Sequence, residues 1–363
     1  MHLAEIAALR PVPAAGLQLA LTRRCPLSCA HCSTDSSIAA EQHSGTPFRT
    51  LVASFTHEHH PEVILMSGGE PLLRPGLVAD LATRAREAGT RSFVLSGMFF
   101  ARPGRAVPPA IDRALSRVDH VGASVDAHHE REVGRGAVFE VLHRLAGRVP
   151  AVSLHVTGGG DDDEYVAGLV ADIRREFGDR VPILVTRIQP TGRARHGPPR
   201  ASAAPVMPCA FAAWPLVSYD GTVFGCCRQS LLESERPRHL VLGHAARDGW
   251  EALAAKAAGD PVLRALRLMG PVAVRRRFGA GPALGTVCAT CVTLSGDADL
   301  RRRVADYLES PAGRALATLA RPEIEHRDPY RVAAGWGSPR YRELIGLGWE
   351  GAKHAQADTG RHR

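Results

Sequence analysis

Lysine is almost missing from this sequence. Of the 45 basic side chains in 363 residues only Lys256 and Lys353 are lysines, so the formal charge of +8 is carried by arginine. The arginines run along the whole chain, which fits a coding bias toward GC-rich codons. Aromatic residues are scarce too, at 5%, and no basic run is interleaved with them, which argues against a surface built to stack nucleic-acid bases. No apolar run approaches the roughly 18 residues needed to span a bilayer. The first ten residues carry Glu5 and lack a basic stretch leading into an apolar one, which argues against a secretory signal. We therefore expect a cytoplasmic protein, whose thiols stay reduced. In that setting its eight cysteines read as metal or redox chemistry rather than disulfides.

What is present is ordinary globular material, with 45% hydrophobic and 23% charged residues. The length exceeds one typical domain of roughly 100–200 residues. Short β-branched or apolar runs at 17–21, 63–66, 92–95, 120–125, 152–156 and 183–188 alternate with amphipathic stretches at 48–57, 76–88, 111–117, 138–148 and 164–177. That alternation predicts a parallel sheet with helices between its strands. Asp161, Asp162 and Asp163 are placed to cap the last of those helices. Six such units by residue 190 predict an open or partial barrel, with its chemistry at the C-terminal ends of the strands.

Residues 191–208, rich in Gly, Pro, Ala and Arg, read as a linker. Beyond it, 216–223 reads as a hairpin turning at Asp220–Gly221, and helices are expected at 250–258 and 261–268. The domain expectation is a core at 1–200, a small cysteine-bearing domain at 201–300, and a helical extension with a polar tail at 301–363.

Cys25, Cys29 and Cys32 form a C-x3-C-x2-C triplet directly after the first strand. Three thiolates on one short loop can hold three irons of a [4Fe–4S] cube and leave the fourth without a protein ligand. A zinc site is the alternative, but zinc prefers four closed ligands, so it would need His31 or a distant residue to complete the set.

The segment TRRCPLSCAHC, followed about 34 residues after its last cysteine by MSGGEP at Met66–Pro71, resembles the radical S-adenosylmethionine (SAM) superfamily over roughly residues 15–200. The resemblance implies a partial (β/α)6 barrel in which SAM chelates the open iron. One electron then cleaves the sulfonium, and a 5′-deoxyadenosyl radical abstracts a substrate hydrogen. Cys25, Cys29 and Cys32 would be the catalytic set. It further implies that His31 stands where relatives carry an aromatic ring near adenine, and that Gly68 and Gly69 bring backbone close to the methionine amine. Glu70 and Pro71 complete that motif. Ser96 falls near the ribose, and Ser124, in a Ser-Val-Asp resembling the family's Ser-Leu-Asp, near the methionine carboxylate. The family's G-x-I-x-G pattern on the fifth strand has no good match here.

A second set comprises Cys209, Cys226, Cys227, Cys288 and Cys291. Eleven residues separate Cys209 from Gly221 and four more separate Gly221 from Cys226. This is similar to the opening of the SPASM-type auxiliary-cluster domain, with Cys288-x2-Cys291 as the next pair. The later cysteines of that pattern are absent, Asp297 and Arg301 standing at two of their positions, so the set resembles the shortened twitch version. Cys209, Cys226, Cys288 and Cys291 would then saturate one auxiliary [4Fe–4S] cluster. A four-cysteine zinc knuckle is the alternative. Cys227 is left over and reads as a buried thiol beside the site, or as a hydrogen-atom donor.

His128, His129, Glu130, Arg131 and Glu132 follow the fourth strand and read either as a solvated helix start or as substrate-orienting groups. Arg187 and Gln189 end the sixth strand, and 190–194 (PTGRA) resembles the barrel exit of SPASM-type relatives. His57, His59 and His60 read as a helix end, and Arg275–Arg277 as a surface run.

The expected function is SAM-dependent hydrogen abstraction that oxidises, cross-links or epimerises a ribosomal peptide, with flavodoxin or ferredoxin as reductant. Cys25 lies too near the N-terminus for a built-in peptide-recognition domain, so a separate recognition protein is a possible partner. Dehydrogenation or epimerisation of an aminocyclitol or sugar is the alternative substrate class. A zinc-stabilised basic nucleic-acid adaptor is the rival from outside enzymology.

Overall fold

The computed structural model describes residues 1–196, 206–232, 236–279, 284, 286–297, 299–325 and 327–351. Part of the expected linker and nearly all of the polar tail lie outside them. The strands β1 (Gly16–Thr22), β2 (Val63–Gly68), β3 (Arg91–Ser96), β4 (His120–Ser124), β5 (Val152–Gly158) and β6 (Ile183–Arg187) pair in parallel, each with the next. Helices α2 (Thr46–Ala53), α3 (Pro75–Glu87), α4 (Pro109–Leu115), α5 (Arg135–Leu145) and α6 (Glu164–Phe177) stand between them, and α1 (Leu3–Ala8) precedes β1. Asp163 caps α6, its carboxylate accepting from the Tyr165 and Val166 amides.

The sheet does not stop at β1. Strand β7 (Leu216–Val217) joins β1 in parallel, and β8 (Thr222–Phe224) and β9 (Val241–His244) continue antiparallel, giving the order β6-β5-β4-β3-β2-β1-β7-β8-β9. The turn from β7 to β8 is made at Asp220 and Gly221, with Gly221 at φ +92°. The barrel is therefore open, and the second cysteine region begins as an extension of its sheet. Helices α7 (Trp250–Gly259), α8 (Pro261–Phe278), α9 (Val287–Thr293), α10 (Leu300–Glu309), α11 (Pro311–Glu325) and α12 (Pro329–Trp336) complete the chain. Helix α8 runs past the expected end at Leu268. Gly270, at φ +77°, makes a kink, and Pro271 begins the next turn with its fixed φ and no amide to satisfy.

Two long-range contacts shape the interior. Trp214 is fully buried, donates from Nε1 to the Leu9 carbonyl at 3.1 Å, and lies against Gly16, where any Cβ would overlap the indole. At the other edge Gly337 bridges Thr186 of β6, and the Ser338 amide donates to the Val185 carbonyl at 3.1 Å. The chain's late segment thus covers part of an edge that would otherwise expose unpaired backbone groups. It also meets the first helix, since Leu3 and Ala7 of α1 pack with Ala333 of α12 and Ile345.

His120 is buried and His155 half-buried within the sheet, and the two share the Ser153 hydroxyl, at 2.7 and 3.1 Å. Burial pushes their pKa values down to about 3 and about 4 from the ordinary 6.5. Between pH 6.5 and about 4 the unfolded chain therefore binds protons that the folded chain refuses, so stability must fall as the pH drops. Denaturant unfolding across that window should show the loss, and His120→Gln with His155→Gln should flatten it. An unchanged slope in the double variant would contradict the burial of neutral imidazoles.

Candidate active site

The loop from Cys25 to Ser36 contains no helix or strand, so its shape is imposed from outside. From below, the Gly69 amide donates to the Thr22 carbonyl at 2.6 Å and the Glu70 amide to the Arg24 carbonyl at 2.8 Å. Gly68 takes φ +118°, and a Cβ on it would lie 2.6 Å from the Thr22 carbonyl oxygen; a Cβ on Gly69 would overlap that of Arg24. The two glycines are thus required by the close approach of this motif to the root of the cysteine loop. From the far end of the barrel, Gly192 sits at φ +58° with its Cα against the Cys32 carbonyl, and the Arg193 amide donates to that oxygen at 2.9 Å. The Arg193 side chain reaches the carbonyls of Cys29 (Nε, 2.9 Å) and Ser36 (Nη1, 2.6 Å). Glu132 takes the Ser28 amide at 2.6 Å and its hydroxyl at 3.0 Å.

The three thiols line one cavity of about 910 Å³ together with His31, Gly68, Gly69, Glu70 and Ser124. Pro71 and Ser96 stand behind it. Pro71 opens a short 3-10 turn. The Ser96 hydroxyl donates to the Glu70 carboxylate at 3.0 Å and accepts from the Met98 amide at 2.9 Å, so it serves Glu70 directly. Glu70 itself is buried and also accepts from Leu72 and Gly97, at 2.9 Å each. Burial raises its pKa to about 7 in spite of those bonds.

Asp126 ties the loop to the turn after β4. Its Oδ2 meets His31 Nε2 at 3.2 Å and His129 Nδ1 at 2.8 Å, while Oδ1 accepts the His128 and His129 amides. His129 also lies beside the Cys29 thiol; although burial opposes it, Asp126 and Cys29 hold the His129 pKa up at about 10. The His31 ring stacks on His128 at 4.6 Å between centroids. The polar run at 128–132 therefore braces the site, with Glu132 and His129 both on the cysteine loop. The sequence marked the run but not Asp126 as its hinge.

The second thiol set lies on the same cavity, since Cys209 and Cys288 also line it. Cys226 and Cys291 are close enough to Cys209 and Cys288 to raise one another's pKa, burial being the larger cause. Cys227 points elsewhere. It is buried, and its sulfur accepts from Arg10 Nη2 at 2.7 Å. Arg228, the next residue, lies near Cys288, where its positive charge partly offsets the burial that raises that thiol's pKa.

These donors fit iron–sulfur clusters. Burial, with the neighbouring Glu70, Cys29 and Cys32 adding to it, pushes the Cys25 thiol up to about 12, and burial pushes Cys209 to about 11. Such thiols are poor anions alone, and bound metal would supply the positive charge that ionises them. Among the described residues, three possible ligand atoms come within 4.8 Å of one another only at His31, Asp126 and His129. One zinc ion bonded at about 2.3 Å would draw its sulfurs to about 3.8 Å from one another, closer than any three thiols of either set stand.

The clamp from Arg193 is testable. Each charge-assisted bond to a loop carbonyl contributes on the order of 1.5–3 kcal/mol, so Arg193→Ala should lose the iron of the first cysteine set on desalting while retaining that of the second. Iron and sulfide content read this directly, and full retention of both would contradict the clamp.

Residues 19–173 match the model of the radical SAM superfamily. Pre-heme d1 synthase of Dinoroseobacter shibae is 35% identical over 136 residues, 35% of this chain and 31% of that protein. PqqA peptide cyclase of Streptomyces rochei is 35% identical over 113 residues, 31% of this chain and 29% of the cyclase. The chain thus spans about a third of the length of these curated relatives. In structure it is similar to Streptococcus suis SuiB bound to S-adenosylmethionine, with a TM-score of 0.50 and 10% identity over 71% of this chain and 68% of SuiB, which bears on the fold alone. The motif loops, the open parallel barrel and the matched sequence agree that residues 19–173 form a radical SAM domain.

Proposed function

We propose that this protein is a radical SAM enzyme with one auxiliary [4Fe–4S] cluster, and that it modifies a ribosomal peptide by oxidation, cross-linking or epimerisation. The observation that carries the reading is one cavity of about 910 Å³ walled by Cys25, Cys29 and Cys32, by Cys209 and Cys288 of the second set, and by the Gly68–Glu70 turn. The first cluster would be held by Cys25, Cys29 and Cys32, and the second by Cys209, Cys226, Cys288 and Cys291. When bound, the first cluster and SAM supply one-electron cleavage and hydrogen abstraction. The chain's own part is positional. Gly68 and Gly69 bring backbone to the cavity wall, Ser124 presents a hydroxyl there, and Asp126 orients His31 as a flat ring beside the third cysteine. Arg193 and Glu132 keep the loop from relaxing.

A peptide substrate is supported by the relatives, one of which is named a peptide cyclase. A reductant of the flavodoxin or ferredoxin type, a separate peptide-recognition protein and a cytoplasmic setting belong to the same proposal. No helix among the described residues is long and apolar enough to cross a membrane.

Anaerobically purified protein, reduced with dithionite and given SAM, should release 5′-deoxyadenosine, and short precursor peptides encoded beside the gene should change mass. Cys29→Ala should abolish the deoxyadenosine, whereas Cys288→Ala should leave uncoupled cleavage but little product. Mass change in an aminocyclitol or sugar and in no peptide would move the reading to the alternative substrate class. Full product formation by Cys288→Ala would overturn the auxiliary-cluster assignment.

A further inference from the structure

A second cavity, of about 300 Å³, opens inside the barrel next to the first. Barrel interiors are ordinarily filled by layers of side chains, and packed proteins leave few voids larger than a water molecule. Here the inward side chains of β2, β3 and β6, among them Leu65, Phe93 and Leu184, leave the space open. Trp214 and Ile345 supply further apolar wall, and Ala7 of α1 and Ala333 of α12 present only methyl groups to it. The two cavities share the polar side chains of Ser33, Thr186, Gln189, Arg228 and Gln229 at their boundary.

The polar groups deeper in are largely matched within the protein. Gln18 donates to Ser67 at 3.0 Å, His155 is bonded to Ser153 at 3.1 Å and held neutral by burial, and Arg10 bonds Cys227 and lies 4.3 Å over the Trp214 ring. An apolar floor beneath a collar of amides, hydroxyls and the Arg228 guanidinium matches the two halves of an amino-acid residue, an uncharged side chain below and a main chain, with its carbonyl acceptors, above. Phe93 and Trp214 add ring faces and edges, which favour another ring.

We propose that this second cavity is a substrate subsite that takes one uncharged aromatic side chain of the peptide, while the Ser33, Gln189 and Gln229 collar bonds the adjoining main chain. The proposal rests on the peptide reading above. Two small residues fix the size of the pocket, and neither lines the first cavity: Ala333, 4% exposed, and Ala7, 7% exposed.

The test uses the full chain and 5-fluoroindole as probe, followed by fluorine NMR titration, with benzoate as the charged comparison. Saturable binding of the indole is expected, at least tenfold weaker in Ala333→Phe and in Ala7→Met, with uncoupled SAM cleavage unchanged in both. Melting curves of the two variants identify one that fails to fold, and the other then carries the comparison. No saturable binding to the full chain, equal binding in the folded variants, or preference for benzoate would overturn the subsite. Indole binding without any peptide product would instead sink the peptide reading and leave the cavity's chemistry standing.

Discussion

The structure depends on a loop that cannot hold its own shape. Between Cys25 and Ser36 the backbone forms neither helix nor sheet, yet three thiols must face one cavity with a fixed separation. The constraint is met by carbonyl oxygens of the loop and its root, which accept from donors that follow two different strands. Thr22 and Arg24 are met by the Gly69 and Glu70 amides, and Cys29, Cys32 and Ser36 by Arg193. The first partner follows β2 and the second follows β6, so the loop is fastened by elements from both sides of the open barrel. Glycine at 68, 69 and 192 is a condition of this fastening, because a side chain there would push the donors off the carbonyls.

The same logic explains why polar residues crowd the turn after β4. Asp126 spends all its acceptor capacity on His31, His129 and two amides, so a buried carboxylate is balanced at every lone pair. Its effect passes through His129 to Cys29 and through His31 to the ring stack with His128. Hydrogen bonds to ligating sulfurs are among the determinants of cluster potential, so with a cluster on Cys29 this braced turn would bear on its potential as well as on the shape of the site.

Local patterns were legible in the sequence. The six parallel strands, the Asp163 cap, the Asp220–Gly221 turn and the Cys25–Cys32 triplet follow from spacing of a few residues, and motif resemblance singled out Gly68–Glu70 and the second cysteine set. What escaped was set by contacts between residues far apart in the chain. Nothing near Arg10 announces that it will reach Cys227, nor does anything near Gly192 show that it abuts Cys32. Asp328 and Arg331 bring the start of α12 onto the wall of the main cavity, because Gly337 and Ser338 attach that segment to β6. The motif position of Ser96 says nothing of where its hydroxyl turns, and here the buried Glu70 carboxylate accepts from it.

The central claim is that the loop's thiols, so fastened, hold a cluster with one iron left free for a small ligand. Mössbauer spectroscopy of protein reconstituted with 57Fe, with and without SAM, reads the iron sites individually. The account predicts that SAM alters about one iron in eight, that being the single unligated corner of two four-iron clusters, and that this change is lost in Cys32→Ala. Spectra identical with and without SAM, or thiols loaded with zinc in place of iron after anaerobic reconstitution, would contradict it.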